Sequence, residues 1–399
     1  MPRPVPLFPW RAGVWPNWKG GVRVLHLGKY YPPFAGGMER FLGDLLPALA
    51  AEGVEPAALV HAHDRPGRRE HPFPVWRVPA YGRLLYTPVS PAFPLWLARM
   101  IRHFRPHLLH LHLPNPSAFW VLALPAARRL PWVIHWHADV VASTIDPRLA
   151  LAYRLYRPWE QALLRRAVKV IATSPPYRDA SAPLRPWRDK TEVVPLGIDP
   201  ARLAPPGDEE LAWAVRQWGD GRLRLLCVGR LTYYKGHAVL LAALRPDDGI
   251  HLICVGAGER LDPLRQRARQ RRLDVHFTGA LSDARRNALL ATCDVLVLPS
   301  VERTEAFGVV LLEAMAYGKP VIATRVPGSG MGWVVEAGVT GWLVPPGDAA
   351  ALAQVLQAVR RCPVERRRRG EAGRVRLSRR YHIRTCARSL AAIYREVCG

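Results

Sequence analysis

Residues 251 to 279 read HLICVGAGERLDPLRQRARQRRLDVHFTG, and this stretch decides the fold class. A short apolar run (251 to 255) is followed by a segment of helical length and period (261 to 272) and then by a second short apolar run (275 to 279). Short apolar runs separated by helices are typical of parallel strands, because a parallel pair cannot be joined by a tight turn. The stretch therefore predicts a strand–helix–strand unit of an α/β protein.

The same alternation extends in both directions from this unit. Eleven strands are predicted in two series, at 22 to 27, 107 to 112, 132 to 137, 168 to 173 and 192 to 196, and then at 223 to 228, 251 to 255, 275 to 279, 294 to 299, 320 to 324 and 341 to 346. Helical segments lie between them, for instance at 38 to 51, 148 to 167 and 307 to 317. Two such series predict two doubly wound parallel sheets. Since ligands bind beyond the carboxyl ends of such strands, we expect an active-site cleft between two domains.

The break between the two series lies in residues 197 to 210, GIDPARLAPPGDEE, where glycine, proline and acidic residues interrupt both periodicities. We place the domain boundary near Asp199. The predicted organisation is an irregular extension (1–21), a first domain (22–198), a second domain (199–362) and arginine-rich C-terminal helices (363–399). We expect these last helices to pack back toward the first domain.

The composition of the chain limits its class and its partners. Of its 399 residues, 49% are hydrophobic and 22% charged, which excludes an intrinsically disordered protein. The formal net charge is +25, and only six of the 57 cationic residues are lysines. A cationic surface attracts phosphates, nucleic acid or anionic lipid headgroups, so we expect an anionic partner whose kind stays open. The arginine-rich C-terminal segment is either a solvated helical face or a patch that contacts anionic lipid.

Three features of the sequence bear on localisation. The six cysteines show no C-x-x-C pair and no metal-ligand spacing. No apolar run approaches the roughly 20 residues of a membrane span, and the proline- and tryptophan-rich first 21 residues do not resemble a signal peptide. The sequence predicts a cytoplasmic protein with reduced cysteines, and a peripheral place on the inner face of the cytoplasmic membrane is an open alternative.

The first motif with chemical meaning is GKYYPPFAGGMER (28 to 40), between the first strand and the first helix. Gly36 and Gly37 let the backbone approach a ligand closely, and the N-terminus of the following helix offers unpaired N–H groups and a positive dipole. The motif suits a phosphate or another oxyanion. A simple tight turn explains a double glycine equally well.

The second motif is VGRLTYYKGH (228 to 237), again between a strand and a helix. Arg230 and Lys235 lie five residues apart in a flexible loop, so both can converge on one diphosphate, the arginine through its planar fork and the lysine as a point charge. The alternative is a pair of ordinary solvated cations.

The third motif is ERTEAFGVVLLEAMAYGKPVIAT (302 to 324). We expect Glu305 at the start of a helix and Glu313 eight residues later, a separation of about 12 Å along the axis. Two carboxylates at this spacing suit two sets of hydroxyl groups, with a diphosphate at the helix N-terminus between them. A capping glutamate and a solvated glutamate are the alternative interpretation.

Taken together these motifs resemble a known family. The features that carry the resemblance are E-x7-E (Glu305 and Glu313), Arg230 with Lys235, the Gly36-Gly37 loop and VVPLGID (193 to 199). From Val22 to Asp348 the chain is similar to the retaining glycosyltransferases of family four, which implies the GT-B architecture of two Rossmann-like domains. LHLPNP (111 to 116), VERTEAFG (301 to 308) and VPGSGMGWVVE (326 to 336) resemble more narrowly the bacterial mannosyl- and rhamnosyltransferases that extend lipid-linked surface polysaccharides.

The resemblance implies the substrates and the charged groups that bind them. A nucleotide diphosphate sugar would bind to the second domain, and the first domain would select a saccharide or a lipid-linked acceptor. Arg230 and Lys235 would hold the donor diphosphate and offset the negative charge of the leaving nucleotide, in place of a divalent metal. The sequence contains no Asp-x-Asp, and we expect no metal and no cofactor.

The same resemblance assigns the rest of the donor site. Glu305 would accept hydrogen bonds from donor-sugar hydroxyls, and Glu313 would bind the ribose. The backbone N–H groups of Phe307 and Gly308 would meet sugar or phosphate oxygens.

From the opposite domain, the resemblance implies that Gly36 and Gly37 close on the phosphate. His137, in HWHAD (135 to 139), matches the family's histidine near the donor sugar, with a structural histidine as the alternative. No residue is expected to be a nucleophile, since family members retain configuration when the acceptor hydroxyl attacks the face from which the phosphate departs.

Acceptor contacts are expected in the first domain, from Tyr31, Met38 and Glu39 beside the double glycine. The aromatic and cationic segment 81 to 105 could lie amphipathically on a membrane next to a lipid-linked acceptor, or it could be a core helix with an arginine face.

Two other function classes share some features with this sequence. A nucleic-acid-binding or anionic-surface-binding protein on a Rossmann-like scaffold would explain the +25 charge, but the sequence shows no recognition helix, zinc knuckle or aromatic stacking sheet. A nicotinamide oxidoreductase would need G-x-G-x-x-G, whereas Gly256 and Gly258 are followed by Leu261 at the third position. The function that the resemblance implies is a metal-independent retaining hexosyltransferase of cell-surface polysaccharide synthesis, without a nucleic-acid partner.

Overall fold

The computed structural model describes residues 20–34, 36–63, 73–84, 87–140, 147–203, 205–219 and 221–399. The predicted extension 1–21 lies outside these ranges except for its last two residues. Two parallel sheets, each covered by helices, dominate the fold.

The first sheet has seven strands. In chain order the strands of this half are β1 (Arg23–Leu27), β2 (Glu55–His61), β3 (Val75–Val78), β6 (Leu108–Leu113), β7 (Trp132–Trp136), β8 (Lys169–Ala172) and β9 (Thr191–Val193), and a separate antiparallel pair is formed by β4 (Arg83–Leu84) and β5 (Thr87–Pro88). The order in the sheet is β3-β2-β1-β6-β7-β8-β9. The connecting helices are α1 (Gly37–Ala51), α2 (Phe93–Phe104), α3 (Trp120–Ala123), α4 (Pro125–Arg128), α5 (Pro147–Arg166) and α6 (Pro175–Ala180).

The second sheet has six strands. They are β10 (Leu223–Val228), β11 (Ile250–Val255), β12 (Val275–Gly279), β13 (Val295–Leu298), β14 (Val321–Thr324) and β15 (Gly341–Val344), in the order β12-β11-β10-β13-β14-β15. Its helices are α7 (Asp208–Trp218), α8 (His237–Ala243), α9 (Leu261–Gln270), α10 (Asp283–Thr292), α11 (Val309–Ala316), α12 (Met331–Val334) and α13 (Ala349–Arg361). All eleven predicted strands are present, and the two doubly wound sheets confirm the predicted fold class.

Two strands of the first sheet, β2 and β3, were missing from the sequence prediction. β2 reads EPAALVH, and its proline and alanines give a weak strand signal. All seven of its residues are nevertheless buried, because β2 pairs with β1 on one side and with β3 on the other. A position inside a covered parallel sheet outweighs local propensity here.

The order of strands reverses beside β1 in the first sheet and beside β10 in the second. In open α/β sheets these switch points are where ligands bind. The loop that follows β1 carries the double glycine, and the loop that follows β10 carries Arg230 and Lys235. The fold therefore places both sequence motifs at the positions where a cleft ligand is expected.

The chain ends in two long helices, α14 (Pro363–Arg376) and α15 (Ile383–Cys398), joined through a π-helical turn (Leu377–Tyr381). The last helix packs against α1, and the Arg395 guanidinium donates to the carbonyl of Glu52 at 2.6 Å. One hydrophobic cluster accordingly runs from Leu45 of α1 through Leu390 of α15 to Leu312 of α11. The numerical domain limits stay predictions. Among the described helices, none has the length and apolar character that a membrane crossing requires.

Candidate active site

Lys235 and Glu305 lie 70 residues apart in the chain and form an ion pair in the structure. Lys235 ends a 3-10 turn (Tyr233–Lys235), and Gly236 then turns the chain into α8 with a φ of 72°. A Cβ at Gly236 would collide with the Pro299 carbonyl, so the turn requires glycine both for its backbone angle and for space. Burial opposes the charged form of Lys235, but Glu305, together with smaller effects of Tyr234 and Cys227, outweighs it, so the pKa of Lys235 is raised.

The segment that carries Glu305 is a loop, not the start of a helix. Helix α11 begins at Val309, because Gly308 adopts a left-handed backbone with a φ of 79° immediately before it. The prediction that Glu305 and Glu313 lie on one helix, about 12 Å apart along its axis, is therefore wrong. The loop is held by a hydrogen bond from the Ser329 hydroxyl to the Glu305 carbonyl (2.5 Å) and by one from the Gly330 N–H to the Ala306 carbonyl (2.7 Å).

Phe307 and Gly308 complete this loop. The Phe307 ring is buried and makes an edge contact with Tyr381, with the ring centroids 6.0 Å apart. This anchor fixes the backbone that leads into α11. Helix α11 follows β13 in the chain, and β13 is the neighbour of β10 in the sheet. The first N–H groups of an α-helix have no partner inside the helix, so the N-terminus of α11 can donate hydrogen bonds to a ligand.

Arg230 is exposed and lies close to the first half of the molecule. Burial raises the pKa of Glu39 in α1, and the positive charge of Arg230 is among those that counteract this rise. A Cβ at Gly36 would collide with the Glu39 carboxylate, whereas a Cβ at Gly37 would meet no atom within 4 Å. The structure therefore brings the double glycine and Arg230 to the same cleft.

Glu313 lies on the buried side of α11, in a cluster of charges that sequence reasoning missed. Its Oε1 is 3.5 Å from Arg40, 3.7 Å from Arg286 and 3.8 Å from Arg202. Arg40 belongs to α1 and also pairs with Asp283 of α10 at 2.9 Å. These charges come from distant segments, so no local spacing in the sequence could have revealed the cluster.

His137 follows the last residue of β7 and is buried. Its Nε2 is 3.0 Å from the Nδ1 of His112, and its ring stacks on that of His135 with the centroids 4.3 Å apart. Burial, and to a smaller extent His112, lower the pKa of His137 well below its usual value. The imidazole is therefore neutral at physiological pH, with one nitrogen already engaged.

A cross-cleft contact that sequence reasoning missed links the surroundings of His137 and Glu305. Arg303, two residues before Glu305, forms an ion pair with Asp139, two residues after His137. The same guanidinium donates to the carbonyl of Ala180 at 2.7 Å. One arginine thus ties the two candidate site segments together.

The three residues expected to touch the acceptor differ in exposure. Tyr31 is in the hydrophobic core, 2% exposed, with the Arg77 guanidinium 5.9 Å from its ring centroid. Glu39 is buried as well, and Met38 is half-buried. In this conformation Met38 offers more surface than the other two, and the acceptor role of all three stays a prediction.

Gly256 and Gly258 have a packing role. A Cβ at Gly256 would collide with the carbonyl of Gly229, and one at Gly258 with the carbonyl of Leu231. The two glycines thus let the loop after β11 approach the loop that carries Arg230. This packing role explains the two glycines without a dinucleotide-binding motif.

Several arginines of the C-terminal helices are neutralised by nearby acids. Glu365 pairs with Arg368 at 2.9 Å and with Arg369 at 3.1 Å, and Glu371 pairs with Arg374 at 2.8 Å. These pairs lower the free positive charge of α14 and weaken the case for a nucleic-acid-binding surface there.

Comparisons with known proteins agree for both halves of the chain. The family model "Glycosyl transferases group 1" matches residues 209–376, and "Glycosyl transferase 4-like domain" matches residues 36–197. The chain is 32% identical over 348 residues to the D-rhamnosyltransferase WbpZ of Pseudomonas aeruginosa, covering 84% of this chain and 86% of that protein. It is 30% identical over 345 residues to the O-antigen chain mannosyltransferase C of Escherichia coli, covering 84% and 88%.

Among solved structures, the sucrose-phosphate synthase of Thermosynechococcus elongatus superposes with a TM-score of 0.76 at 26% sequence identity. The match covers 94% of this chain and 98% of that one, so both sheets and the cleft between them are included.

Proposed function

The chain belongs to the group 1 glycosyl transferases and has their GT-B architecture, and from this premise we propose a donor, an acceptor and a mechanism. The enzyme moves a hexose of mannose or rhamnose type from a nucleotide diphosphate sugar to a saccharide or lipid-linked acceptor of cell-surface polysaccharide synthesis. It does so with retention of anomeric configuration and without a metal ion. The names of the D-rhamnosyltransferase and the O-antigen mannosyltransferase support the choice of sugar and pathway class.

The observation that carries the proposal is the ion pair of Lys235 and Glu305 at the switch point of the second sheet. An ammonium group has three N–H donors, so Lys235 can keep Glu305 as a partner and still donate to a phosphate oxygen. A carboxylate can likewise accept hydrogen bonds from sugar hydroxyls while it pairs with Lys235. The pair thus places a phosphate-binding cation and a hydroxyl-binding anion side by side, as a sugar phosphate requires.

In the proposed reaction the bond between the sugar C1 and the diphosphate oxygen breaks, and a bond from C1 to the acceptor oxygen forms on the same face. The acceptor proton passes to the departing phosphate oxygen, so no nucleophilic residue is needed. Negative charge grows on the leaving nucleoside diphosphate. We expect Arg230, Lys235 and the N-terminus of α11 to stabilise this charge.

From the first half, Gly36 and Gly37 at the start of α1 close over the diphosphate, and His137 contacts the donor sugar. The backbone N–H groups of Phe307 and Gly308 meet sugar or phosphate oxygens. The charge of Arg230 acts on Glu39 in the first half, which supports a donor site formed by both halves.

We assign the donor ribose to Glu313. Within the described part of the chain, its buried Oε1 has no hydrogen-bond partner, although three guanidinium groups lie within 3.8 Å. A carboxylate oxygen in this state can accept a hydrogen bond from a ribose hydroxyl.

A lipid-linked acceptor and a peripheral position on the inner face of the membrane are supported by exposed apolar side chains of the first half. They are Leu95 (74% exposed), Leu155 (69%), Trp159 (54%) and Trp120 (42%). Trp159 stacks on Phe119, which precedes Trp120 in the chain, with the ring centroids 6.4 Å apart. Apolar groups of this kind suit contact with acyl chains or prenyl chains.

The proposal is tested first by donor binding in EDTA. Thermal unfolding is followed with GDP-, UDP-, dTDP- and ADP-sugars, since a ligand that binds only the folded state raises the melting temperature. We expect a shift with one nucleotide sugar and none for the Lys235→Ala variant. The matched control is Lys169→Ala, which removes a lysine that pairs with Glu192 (2.5 Å) outside the cleft.

The donor so identified is then used for transfer to saccharide and lipid-linked acceptors, and the anomeric configuration of the product is determined by NMR. A product of the same anomeric configuration as the donor, formed in EDTA, is the expected result. An inverted product, or strict dependence on a divalent metal, would contradict the mechanism. A shift with nucleic acid and with none of the sugars would contradict the function.

A further inference from the structure

Five histidines lie side by side on one face of three adjacent strands, under α1 and α15. They are His26 of β1, His110 and His112 of β6, His135 of β7, and His137 just beyond β7. All five are buried, and Phe41 of α1 and Tyr394 of α15 pack against them. Such a cluster is unusual because each neutral imidazole brings a donor and an acceptor into the core.

Three of these histidines form a hydrogen-bonded row. His137 Nε2 is 3.0 Å from His112 Nδ1, and His112 Nε2 is 3.1 Å from His26 Nδ1. The ring centroids of His112 and His137 are 5.3 Å apart, which is the hydrogen bond plus about one ring radius at each end. The rings therefore meet head to tail. The row runs from the buried His26 to His137 at the carboxyl end of the sheet.

The other two rings are stacked on this row. His110 lies over His112 with centroids 4.6 Å apart, and His135 lies over His137 at 4.3 Å. Burial lowers the pKa of all five histidines, to about 3 for His112. The whole array is neutral at physiological pH, so what varies in it is the position of the protons.

A shared metal ion fits this geometry less well. Two sets of three ring nitrogens lie within 4.8 Å of one another, namely those of His26, His110 and His112 and those of His112, His135 and His137. Imidazole lone pairs lie in the ring plane, however. In the second set the His135 ring is inclined by only 8° to His137 and 13° to His112, and in the first set His110 is inclined by 9° to His112 and by 29° to His26. Lone pairs in nearly parallel planes do not converge on one tetrahedral ion, whereas head-to-tail nitrogens share a proton directly.

The two ends of the row decide its polarity. His26 Nε2 and His137 Nδ1 are both buried, and neither has a hydrogen-bond partner among the described residues. If every ring carried its proton on Nε2, an N–H group would be left unpaired at His26, which is 0% exposed, whereas His137 is 6% exposed and lies at the carboxyl end of the sheet. If every ring carries its proton on Nδ1, His26 Nε2 is an unpaired acceptor, and the unpaired N–H group belongs to His137. A buried acceptor without a partner costs less than a buried N–H donor without one.

We infer that His26 and His112 fix His137 in the Nδ1–H tautomer, so that His137 offers a hydrogen-bond donor to the sugar, and that His112 is a positioning residue for the transfer reaction. This inference rests on the proposed contact of His137 with the donor sugar. A substrate hydroxyl then accepts the hydrogen bond from the His137 Nδ1–H group, which has no partner within the row. Substrate binding thus completes a hydrogen-bond chain that already exists in the core.

The tautomer is measured directly in the full-length protein with 15N-labelled histidine, since two-bond N–H couplings show which ring nitrogen carries the proton. The His137 signals are assigned from their loss in His137→Phe. We expect His137 as the Nδ1–H form in the wild type. In His112→Phe, which keeps a ring but removes both hydrogen bonds, we expect Nε2–H to appear.

Kinetics separate a positioning role from simple packing. We expect kcat/KM to fall about tenfold in His112→Phe, the factor that one neutral hydrogen bond can contribute. His112→Asn places an amide N–H where Nδ1–H was, and should retain both the His137 tautomer and most of the activity. The matched control is His135→Phe, which keeps the stack on His137 and touches neither hydrogen bond, and it should leave kcat/KM unchanged.

A wild-type His137 in the Nε2–H form overturns the proposed polarity, and so does a His112→Phe variant that keeps both the Nδ1–H tautomer and the full rate. If His112→Phe shifts the tautomer but both it and His137→Phe retain full activity, the proposed role of His137 is wrong and the positioning role is overturned with it. If His112→Phe does not fold, the wild-type spectrum and His112→Asn still decide the inference.

Discussion

Arg303 and Asp139, 164 residues apart in the chain, form an ion pair across the cleft. Asp139 is nearly buried (7% exposed) and Arg303 is 27% exposed. Since Arg303 precedes Glu305 by two residues and Asp139 follows His137 by two, the pair fixes two candidate site segments relative to each other. Closure of the cleft and alignment of the site are therefore coupled through one contact.

Arg303→Met should lower kcat/KM by roughly tenfold to a hundredfold, because it removes a charge-assisted contact of about 1.5–3 kcal/mol. Small-angle scattering should show a wider separation of the two halves. The control is Arg178→Met, which breaks an exposed pair with Asp179 (2.8 Å) and should have little effect. A fully active Arg303→Met enzyme would show that the pair is not needed for alignment.

Lys235→Ala should reduce turnover roughly a hundredfold or more, since it removes a cation placed to stabilise the leaving diphosphate. Steady-state kinetics with the identified donor measure the loss, and circular dichroism checks the fold. Lys169→Ala, from a Lys–Glu pair outside the cleft, should keep normal turnover. Normal rates in Lys235→Ala would remove this residue from the donor site.

Gly236→Ala should be more destabilising than Gly53→Ala, although both glycines have a positive φ, of 72° and 78°. Gly53 ends α1 in a left-handed turn that is closed by the hydrogen bond from the Val54 N–H to the Leu49 carbonyl. A Cβ at Gly53 meets nothing within 4 Å, so only the left-handed backbone penalty of about 1–2 kcal/mol applies. At Gly236 the Cβ also collides with the Pro299 carbonyl, and Lys235 must shift. Thermal unfolding and kcat of both variants measure the difference. Equal melting temperatures and normal kcat in both would contradict the packing argument.

Glu313→Gln tests whether the buried carboxylate binds the ribose. We expect a loss of stability, since three arginines lose their common counter-charge, and a weaker affinity for the nucleoside diphosphate. The decisive comparison uses the nucleotide and its 2′-deoxy form by calorimetry. The wild type should discriminate between them and the variant should not. Equal discrimination in both proteins would leave Glu313 with a structural role alone.

Glu160→Gln should change the pH dependence of stability. Burial, with a smaller effect of Asp139, raises the pKa of Glu160 from 4.5 to about 8. Between these values the folded protein holds a proton that the unfolded chain has released. The free energy of unfolding therefore falls as pH rises through this window, by at most about 1.4 kcal/mol per pH unit.

The variant lacks the titrating carboxyl group, so its free energy of unfolding relative to that of the wild type should be higher at pH 8 than at pH 5. Chemical denaturation at the two pH values measures this, with the exposed Glu209→Gln as the control. An equal difference at both pH values would contradict the raised pKa.

The sequence predicted the architecture because parallel strands and their helices leave local periodic patterns. It failed for β2, whose burial comes from its neighbours, and for the start of α11, where Gly308 takes a left-handed conformation. Both failures are cases in which the surroundings outweigh local propensity.

The candidate site shows the same division. Motif spacing and family resemblance pointed to Arg230, Lys235 and Glu305 and to the double-glycine loop. Each lies in a segment between a strand and the next helix, and the carboxyl ends of the strands meet at the cleft. Arg40 and Arg303 were missed, because their partners Glu313 and Asp139 lie on the other side of the cleft and far away in the chain.

By itself, the sequence determined two doubly wound sheets, the loops that carry glycine and charge, and the family to which they belong. Only the tertiary structure decided that Lys235 pairs with Glu305, that Arg303 crosses the cleft to Asp139, and that His26, His112 and His137 form one hydrogen-bonded row. The reason is physical. Helices and strands follow from the periodicity of neighbouring residues, whereas the partner of a buried charge or imidazole is set by how whole elements pack.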